Sequence, residues 1–155
     1  MMRLLFACIF AGLAGPALAV CADDTVELRG DFGAARFTVE VADDAQERSR
    51  GLMNRETMPT GAGMLLVYPA PQRAGFWMKN TLLPLDMIFA DETGTVTKVH
   101  ENAIPLEETL IDGGAGVKFV LEINGGLAGA MGIAKGTEMR HPAIEEAGVA
   151  AWGCE

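Results

Sequence analysis

The sequence predicts a mainly β (α+β) fold: a small compact β-barrel or strongly bent sheet of about seven or eight short strands with two short helices. Residues 36–41 and 117–124 alternate between apolar and polar side chains, which is the period-two pattern of strands that bury one face. Nineteen glycines supply the tight corners and bulges that a small bent sheet needs. We expect a single domain over residues 20–155, with its core at 25–141 and a C-terminal tail at 142–155.

The N-terminal elements follow from local patterns. A short strand near residues 26–28 precedes the alternating strand at 36–41. Asp44, with Glu47 three residues later, is typical of a capped helix start. We expect this short amphipathic helix to end near residues 51–54.

The middle of the chain contains three short apolar stretches. Residues 64–68 predict a buried strand, which we expect Pro69 and Pro71 to end because proline cannot donate to a strand ladder. Residues 75–78 and 87–90 predict two further short strands, with a structured polar loop between them.

The C-terminal part combines one clear strand with weaker signals. A four-residue turn at 91–94, with glycine last, predicts a hairpin. The periodicity at 105–116 is weak and predicts a loop with at most one short strand. Residues 117–124 give the clearest strand pattern, and 127–131 predict one or two helical turns. A last strand is expected at 137–140.

The first nineteen residues have the pattern of a secretory signal peptide. Arg3 supplies a positive charge, residues 4–13 an apolar stretch, and residues 17–19 the small-residue pattern before a cleavage site. We therefore expect cleavage after Ala19 and export, to the periplasm or out of the cell. Two alternatives are a retained membrane anchor, for which the apolar run is short against the ~20 residues of a span, and lipoprotein processing at Cys21.

The net charge of the chain excludes some classes of binding partner. The 155 residues carry 12 basic and 21 acidic side chains, a formal net charge of −9. Nucleic acids and anionic membranes bind basic patches, so we expect neither as a partner. We expect a monomer without stable membrane insertion once the leader is removed.

Cys21 and Cys154 are the two cysteines that remain after the leader is removed. An even pair in an oxidising compartment predicts a disulfide; the alternative is a frayed tail with an unpaired thiol.

Four sequence blocks occur in a fixed order along the chain. They read Glu-Arg-Ser-Arg-Gly-Leu-Met-Asn-Arg at 47–55, Gly-Met-Leu at 63–65, Phe-Trp-Met-Lys-Asn-Thr-Leu-Leu-Pro-Leu-Asp-Met-Ile-Phe at 76–89, and Val-Leu-Glu-Ile-Asn-Gly-Gly at 120–126. In these blocks the chain resembles the domain-of-unknown-function family 192. The resemblance implies a compact β-rich domain, often exported, in bacteria and archaea, and it implies no accepted activity.

The loop from Trp77 to Asp86 is the leading candidate site, because it can converge an ammonium, an amide, a hydroxyl and a carboxylate on one ligand. We predict a binding module for a small ligand or an envelope protein. The candidate ligand-binding residues are Arg50, Arg55, Trp77, Lys79, Asn80, Thr81, Asp86 and Glu122. The alternative is structural: Asp86 accepts backbone hydrogen bonds in a tight turn and is neutralised by Lys79 or Arg50.

Two other functions remain open. Met78 and Trp77 could hold Cu(I) in a periplasmic binding module, since thioethers are soft ligands, although most of the methionines should be core residues. Asp86 and Glu122 could be the carboxylates of a hydrolase-like enzyme. No nucleophile motif is present, and His100 and His141 are expected at the surface or at strand edges. The sequence therefore favours a binding protein without catalytic residues or cofactor over an enzyme.

Overall fold

The computed structural model describes residues 21–154, so the signal peptide predicted at 1–19 lies outside the described residues. In chain order the elements are β1 (Thr25–Gly30), β2 (Gly33–Ala42), α1 (Ala45–Arg50), β3 (Ala62–Phe76), β4 (Leu85–Ala90), β5 (Val96–Ala103), β6 (Ile111–Asn124), α2 (Leu127–Met131), β7 (Glu138–Arg140) and α3 (Pro142–Glu145). Among the described residues, no helix is long and apolar enough to cross a membrane.

The seven strands form one sheet in the order β5-β4-β6-β3-β2-β1-β7. Within residues 21–154, only β2 and β3 pair in parallel; every other neighbouring pair is antiparallel. The sheet curls into a half-barrel, so that Thr95, just before β5, pairs with Glu138 of β7. The Val96 N–H also donates to the Thr137 carbonyl at 2.8 Å. The predicted strongly bent, mainly β fold is confirmed.

The sheet buries apolar side chains on both faces. In β4 every residue is buried, because Leu85, Met87 and Phe89 enter one apolar cluster while Ile88 and Ala90 enter the other. Fully burying a large apolar side chain contributes about 1.5–3 kcal/mol, so the two clusters together hold the sheet in its curled form. The cluster that contains Met87 lies on the same face as α1 and forms the floor of the candidate site.

Helix α1 is capped as the sequence predicts. The Asp44 side chain accepts a hydrogen bond from the Glu47 N–H at 2.7 Å, which satisfies one of the free donors at the helix start. The helix ends at Gly51, whose φ of +48° is a conformation that most other residues disfavour. This abrupt end directs the following residues back across the sheet.

Two strand boundaries differ from the sequence prediction. Strand β3 continues through Pro69 and Pro71 to Phe76. Its pairing with β6 skips from Val67 to Gln72, so both prolines lie where no ladder hydrogen bond is required of them. Strand β6 already begins at Ile111, and its irregular, glycine-containing first part has no clean alternation from which it could be predicted.

The C-terminal segment is more ordered than the predicted tail. His141 caps α3, a third helix where two were predicted, and Pro142 occupies its first turn. Of the two positions expected for His141, the surface and a strand edge, the structure shows the second: it directly follows the edge strand β7 and is only 3% exposed. Its Nδ1 accepts from the Ala143 N–H at 3.1 Å, which is why the ring is held inside.

A disulfide joins Cys21 to Cys154, as the cysteine count predicts. Close to it, the Trp152 ring lies 4.6 Å from the guanidinium of Arg29 and 4.3 Å from that of Arg140. Such cation–π contacts are worth about 0.5–1 kcal/mol each at exposed sites. The C-terminal segment is therefore held to β1 and β7 by the contacts of Trp152, in addition to the disulfide that joins it to Cys21.

Candidate functional site

A cleft of about 520 Å³ lies between α1 and one face of the sheet. Its wall is formed by α1 and the turn that follows it, by β3 and by the segment directly after β3. Its floor is formed by β4 and β6. None of its lining residues comes from β1, β7 or α3, so the cleft is remote from the disulfide.

Among the residues that the structure describes, Glu122 of β6 is the one acidic residue that lines this cleft. It stands in register between Met64 of β3 and Met87 of β4, so its strand neighbours are apolar. Glu122 is 5% exposed, and its Oε2 has no hydrogen-bond partner among the described residues. Burial raises the pKa of Glu122 to about 7. Near neutral pH the carboxyl group is therefore present in both protonation states.

The turn after α1 lies over this carboxyl. A β-carbon placed on Gly51 would stand 3.8 Å from Glu122 Oε2, so only hydrogen occupies that position. Tyr68 lines the cleft from β3, and its pKa is raised by burial and by the charge of Glu122, with Arg48 acting in the opposite direction. Tyr68 and Glu122 thus share one poorly hydrated environment.

The two arginines of α1 at the cleft differ in their contacts. Arg48 Nη1 donates to the Val67 carbonyl at 2.8 Å and also to the Asp43 carbonyl, and its guanidinium lies 5.3 Å from the Tyr68 ring. Arg50 is exposed, and within residues 21–154 no carboxylate lies within 4 Å of it. Arg48 is committed to structure, whereas Arg50 is available at the rim.

Trp77 lies at the outer part of the cleft, where half of its surface is exposed. The ammonium of Lys79 lies 5.2 Å from the centre of its ring. Thr81, which also lines the cleft, is buried and donates to the Lys79 carbonyl at 3.3 Å. The cleft therefore has an exposed indole at its outer part and one buried carboxyl on an otherwise apolar floor.

The structure brings part of the predicted site together. The cleft is lined by Arg50, Trp77, Met78, Thr81 and Glu122. Arg55 instead pairs with Glu40 through contacts of 2.5 and 2.6 Å. Lys79 covers the outer side of Trp77, and Asn80, at φ +55°, accepts from the Asn54 N–H through its carbonyl. These three residues do not line the cleft.

Asp86 is placed on the opposite face of the sheet from Glu122. It is fully buried and accepts three backbone hydrogen bonds, from the N–H groups of Asn102 (2.8 Å), Gly126 (2.9 Å) and Ala128 (2.7 Å). No lysine or arginine of the described chain lies within 4 Å of it. Asp86 holds loops together here, and it does not form a carboxylate pair with Glu122.

Sequence reasoning did not identify several cleft residues. The sequence does not single out Tyr68, because the face that a strand residue occupies depends on register, which one sequence does not determine. It does not single out Arg48 because the position of α1 at the cleft depends on how the helix packs on the sheet. Met53 and Met87 also line the cleft, and the sequence indicated them only as members of an apolar set. The sequence feature that could have identified Arg48 and Met53 as cleft residues is the block at 47–55, which contains both.

The fold and the cleft define a class of strongly curled, seven-stranded β half-barrels. The fold is similar to that in the crystal structure of a protein of unknown function from Novosphingobium aromaticivorans DSM 12444, with a TM-score of 0.73. The two sequences are 37% identical, and the match covers 75% of this chain and 83% of that one. A crystal structure from Sinorhizobium meliloti 1021, described as a candidate transcription regulator, is 38% identical over 80% of this chain and 97% of that one, with a TM-score of 0.75.

The family DUF192, described as an uncharacterised ACR, matches residues 26–141, and the chain belongs to this family. This confirms the resemblance seen in the four sequence blocks. No curated protein matches the chain.

Proposed function

We propose that this protein is a binding module for a small ligand, which it holds in the cleft between α1 and the sheet, with Glu122 as the recognition group. The observation that carries the proposal is the buried Glu122 Oε2 without a hydrogen-bond partner among the described residues. Leaving a buried polar group unpaired costs about 1–3 kcal/mol, and more for a charged group. A ligand that pairs with this oxygen recovers that free energy on binding.

The size and lining of the cleft support the same role. Small-molecule sites are mostly clefts of about 300–1,000 Å³ with apolar walls and a few polar groups that fix orientation. The cleft measured here, at about 520 Å³, lies in that range. Trp77 and Tyr68 offer aromatic surface, and Glu122 offers the orienting group.

We further propose that the protein acts after export, in the periplasm or outside the cell. The sequence of residues 1–19 supports this, and so does the disulfide between Cys21 and Cys154, because such bonds persist in oxidising compartments. The small ligand is then one that is present in that compartment. An envelope protein as partner is less well supported, because the unpaired group lies inside a cleft.

A library of small molecules, screened by thermal shift and tryptophan fluorescence, tests the binding function. Trp152→Phe leaves Trp77 as the only tryptophan in residues 21–154 and so makes fluorescence report on the cleft. We expect ligands that raise the melting temperature, change Trp77 emission and lose affinity in Glu122→Gln. Glu56→Gln, at an exposed position outside the cleft, is the matched control. Ligands that bind Glu122→Gln as tightly as the unmodified protein would contradict the proposal.

Cu(I) binding is a second candidate, favoured by one observation. Met53, Met78 and Met87 line the same cleft as Trp77, and several thioethers at one site are typical of Cu(I) ligation. Cu(I) titration under ascorbate should then quench Trp77 fluorescence, and Met78→Leu should abolish the quenching. Met131→Leu, at an exposed position on α2, should not. Unchanged emission on addition of Cu(I) rules this candidate out.

A further inference from the structure

We propose that the ligand of the cleft is a small organic cation, an amine whose ammonium group pairs with Glu122 and whose apolar body lies against the methionine and aromatic walls. This inference rests on the proposed binding function and names its substrate class. It depends on the position of the unpaired carboxyl, on its apolar surroundings and on the absence of a counter-ion for it among the described residues.

The floor of the cleft offers one strongly polar side chain in apolar surroundings. Glu122 is flanked by Met64 and Met87, and both belong to the buried apolar cluster on this face. A sugar or other polyol would bring several hydroxyls to a surface that satisfies few of them, and each unpaired hydroxyl costs free energy. A ligand with one polar head and an apolar body fits this floor better.

No positively charged side chain of the described residues pairs with Glu122. Within residues 21–154, no lysine, arginine or histidine nitrogen lies within 4 Å of its carboxyl oxygens. Buried charges in proteins are normally paired, because an unpaired one is strongly disfavoured. A cationic ligand would therefore supply the counter-ion that the described residues do not give to Glu122.

Two arginines also line the cleft, and neither has a nitrogen within 4 Å of a Glu122 carboxyl oxygen. From α1, Arg48 is held by the Val67 and Asp43 carbonyls and lies over Tyr68, while Arg50 is exposed at the rim. From β3, Tyr68 contributes an aromatic face and a neutral hydroxyl. Since burial holds the pKa of Glu122 at about 7, binding of an ammonium near neutral pH should release a proton from it.

Three probes of one shape test the head group: 2-phenylethylamine, 2-phenylethanol and 3-phenylpropanoate. Isothermal titration calorimetry near pH 7 measures their affinities for the chain without its leader. We expect the amine to bind at least about tenfold more tightly than the alcohol or the acid, since pairing a desolvated charge is worth more than a neutral hydrogen bond. Repeating the titration in phosphate and in Tris, whose heats of ionisation differ, should show release of part of a proton for the amine only.

The matched variants are Glu122→Gln and Glu56→Gln. Glu122→Gln should weaken the amine at least about tenfold and leave the alcohol almost unchanged, whereas Glu56→Gln should change neither. Equal or tighter binding of the alcohol or the acid overturns the inference, and so does an amine that binds without proton release. If the alcohol or the acid binds, changes Trp77 emission and is weakened in Glu122→Gln, the binding function stands and only the ligand class is wrong. If no probe and no library compound binds, both proposals fail.

Discussion

Asp86 and Glu122 lie one register position apart on neighbouring strands, and their carboxyl groups point to opposite faces of the sheet. The Cα of Asp86 pairs with that of Ile123, whereas Glu122 pairs with Met87. Asp86 accepts three backbone hydrogen bonds, while Glu122 Oε2 accepts none from the described residues. One carboxyl is therefore part of the scaffold, and the other is the group that we propose binds the ligand.

Asp86→Ala should lower the free energy of unfolding by at least about 3 kcal/mol, because it leaves three backbone N–H groups without their acceptor and each such group costs about 1–3 kcal/mol when buried. Urea denaturation followed by circular dichroism measures the loss. Glu56→Ala, an exposed carboxylate, should change stability by less than about 0.5 kcal/mol. If Asp86→Ala stays as stable as the control but loses ligand, Asp86 belongs to the binding site after all.

Glu122 should make the protein less stable as the pH rises from about 4.5 to about 7. Its pKa is about 7 in the folded protein against a usual 4.5, so in this window the folded state binds more protons than the unfolded state, and stability falls with pH. The total effect is about 3 kcal/mol. Glu122→Gln removes this dependence and should be the more stable protein at pH 8. Denaturation of both proteins between pH 4 and pH 8 gives the difference; parallel pH profiles would contradict it.

Gly63→Ala should lower stability by about 1–3 kcal/mol through overpacking. A β-carbon at Gly63 would lie 2.5 Å from the Glu122 carbonyl oxygen and 3.2 Å from Ile123 Cγ2, so β3 and β6 must move apart to admit it. Gly61→Ala is the control, since a β-carbon there meets no atom within 4 Å. Thermal melts of both variants measure the effect, and equal melting temperatures would show that the strands adjust freely.

His141→Ala should cost about 1–2 kcal/mol at pH 7.5 and less at pH 5. The variant loses the cap on the Ala143 N–H and the bond to the Asp23 carbonyl. Burial lowers the pKa of His141 below its usual 6.5, so its stabilising effect is present above that value and is lost as the pH falls through the folded-state pKa. Urea denaturation at both pH values measures this, with the partly buried His100 replaced by alanine as control. If the variant loses the same free energy of unfolding at both pH values, His141 does not stabilise α3 through its neutral form.

Replacing Cys21 and Cys154 together by serine should lower stability by up to about 4–5 kcal/mol, as the chain-entropy model gives for a loop of this length. Ligand affinity in the cleft should not change, because no lining residue comes from the elements beside the disulfide. Reductant added to the unmodified protein should reproduce the lower melting temperature. A loss of affinity without a loss of stability would place the disulfide in the binding function.

Alternation of apolar and polar residues was sufficient to predict a strand where that strand buries only one face. Residues 36–41 and 117–124 alternate because one side meets the core, and both are strands in the structure. The same rule fails where pairing is irregular, as in the part of β3 that contains Pro69 and Pro71. The fold class was therefore predictable, while the full lengths of β3 and β6 were not.

The candidate site was predictable only in part, since its geometry depends on long-range pairing. The sequence identified Trp77 and Glu122 but also Asp86, because all three are polar or aromatic residues near apolar strands. Which face Asp86 and Glu122 occupy is set by the register of β4 against β6, and a shift of one residue reverses it. The unpaired state of Glu122 is a property of its neighbours in space and has no signal in the chain.

The bond between Cys21 and Cys154 turns residues 21–154 into a covalent ring. A protease that cuts the backbone once, in an exposed loop inside this ring, releases no fragment. The disulfide still joins the two parts of the cut chain. Nicked molecules therefore keep the mass of the whole chain until they are reduced. The sheet and its cleft can survive a cut that would divide a linear chain in two.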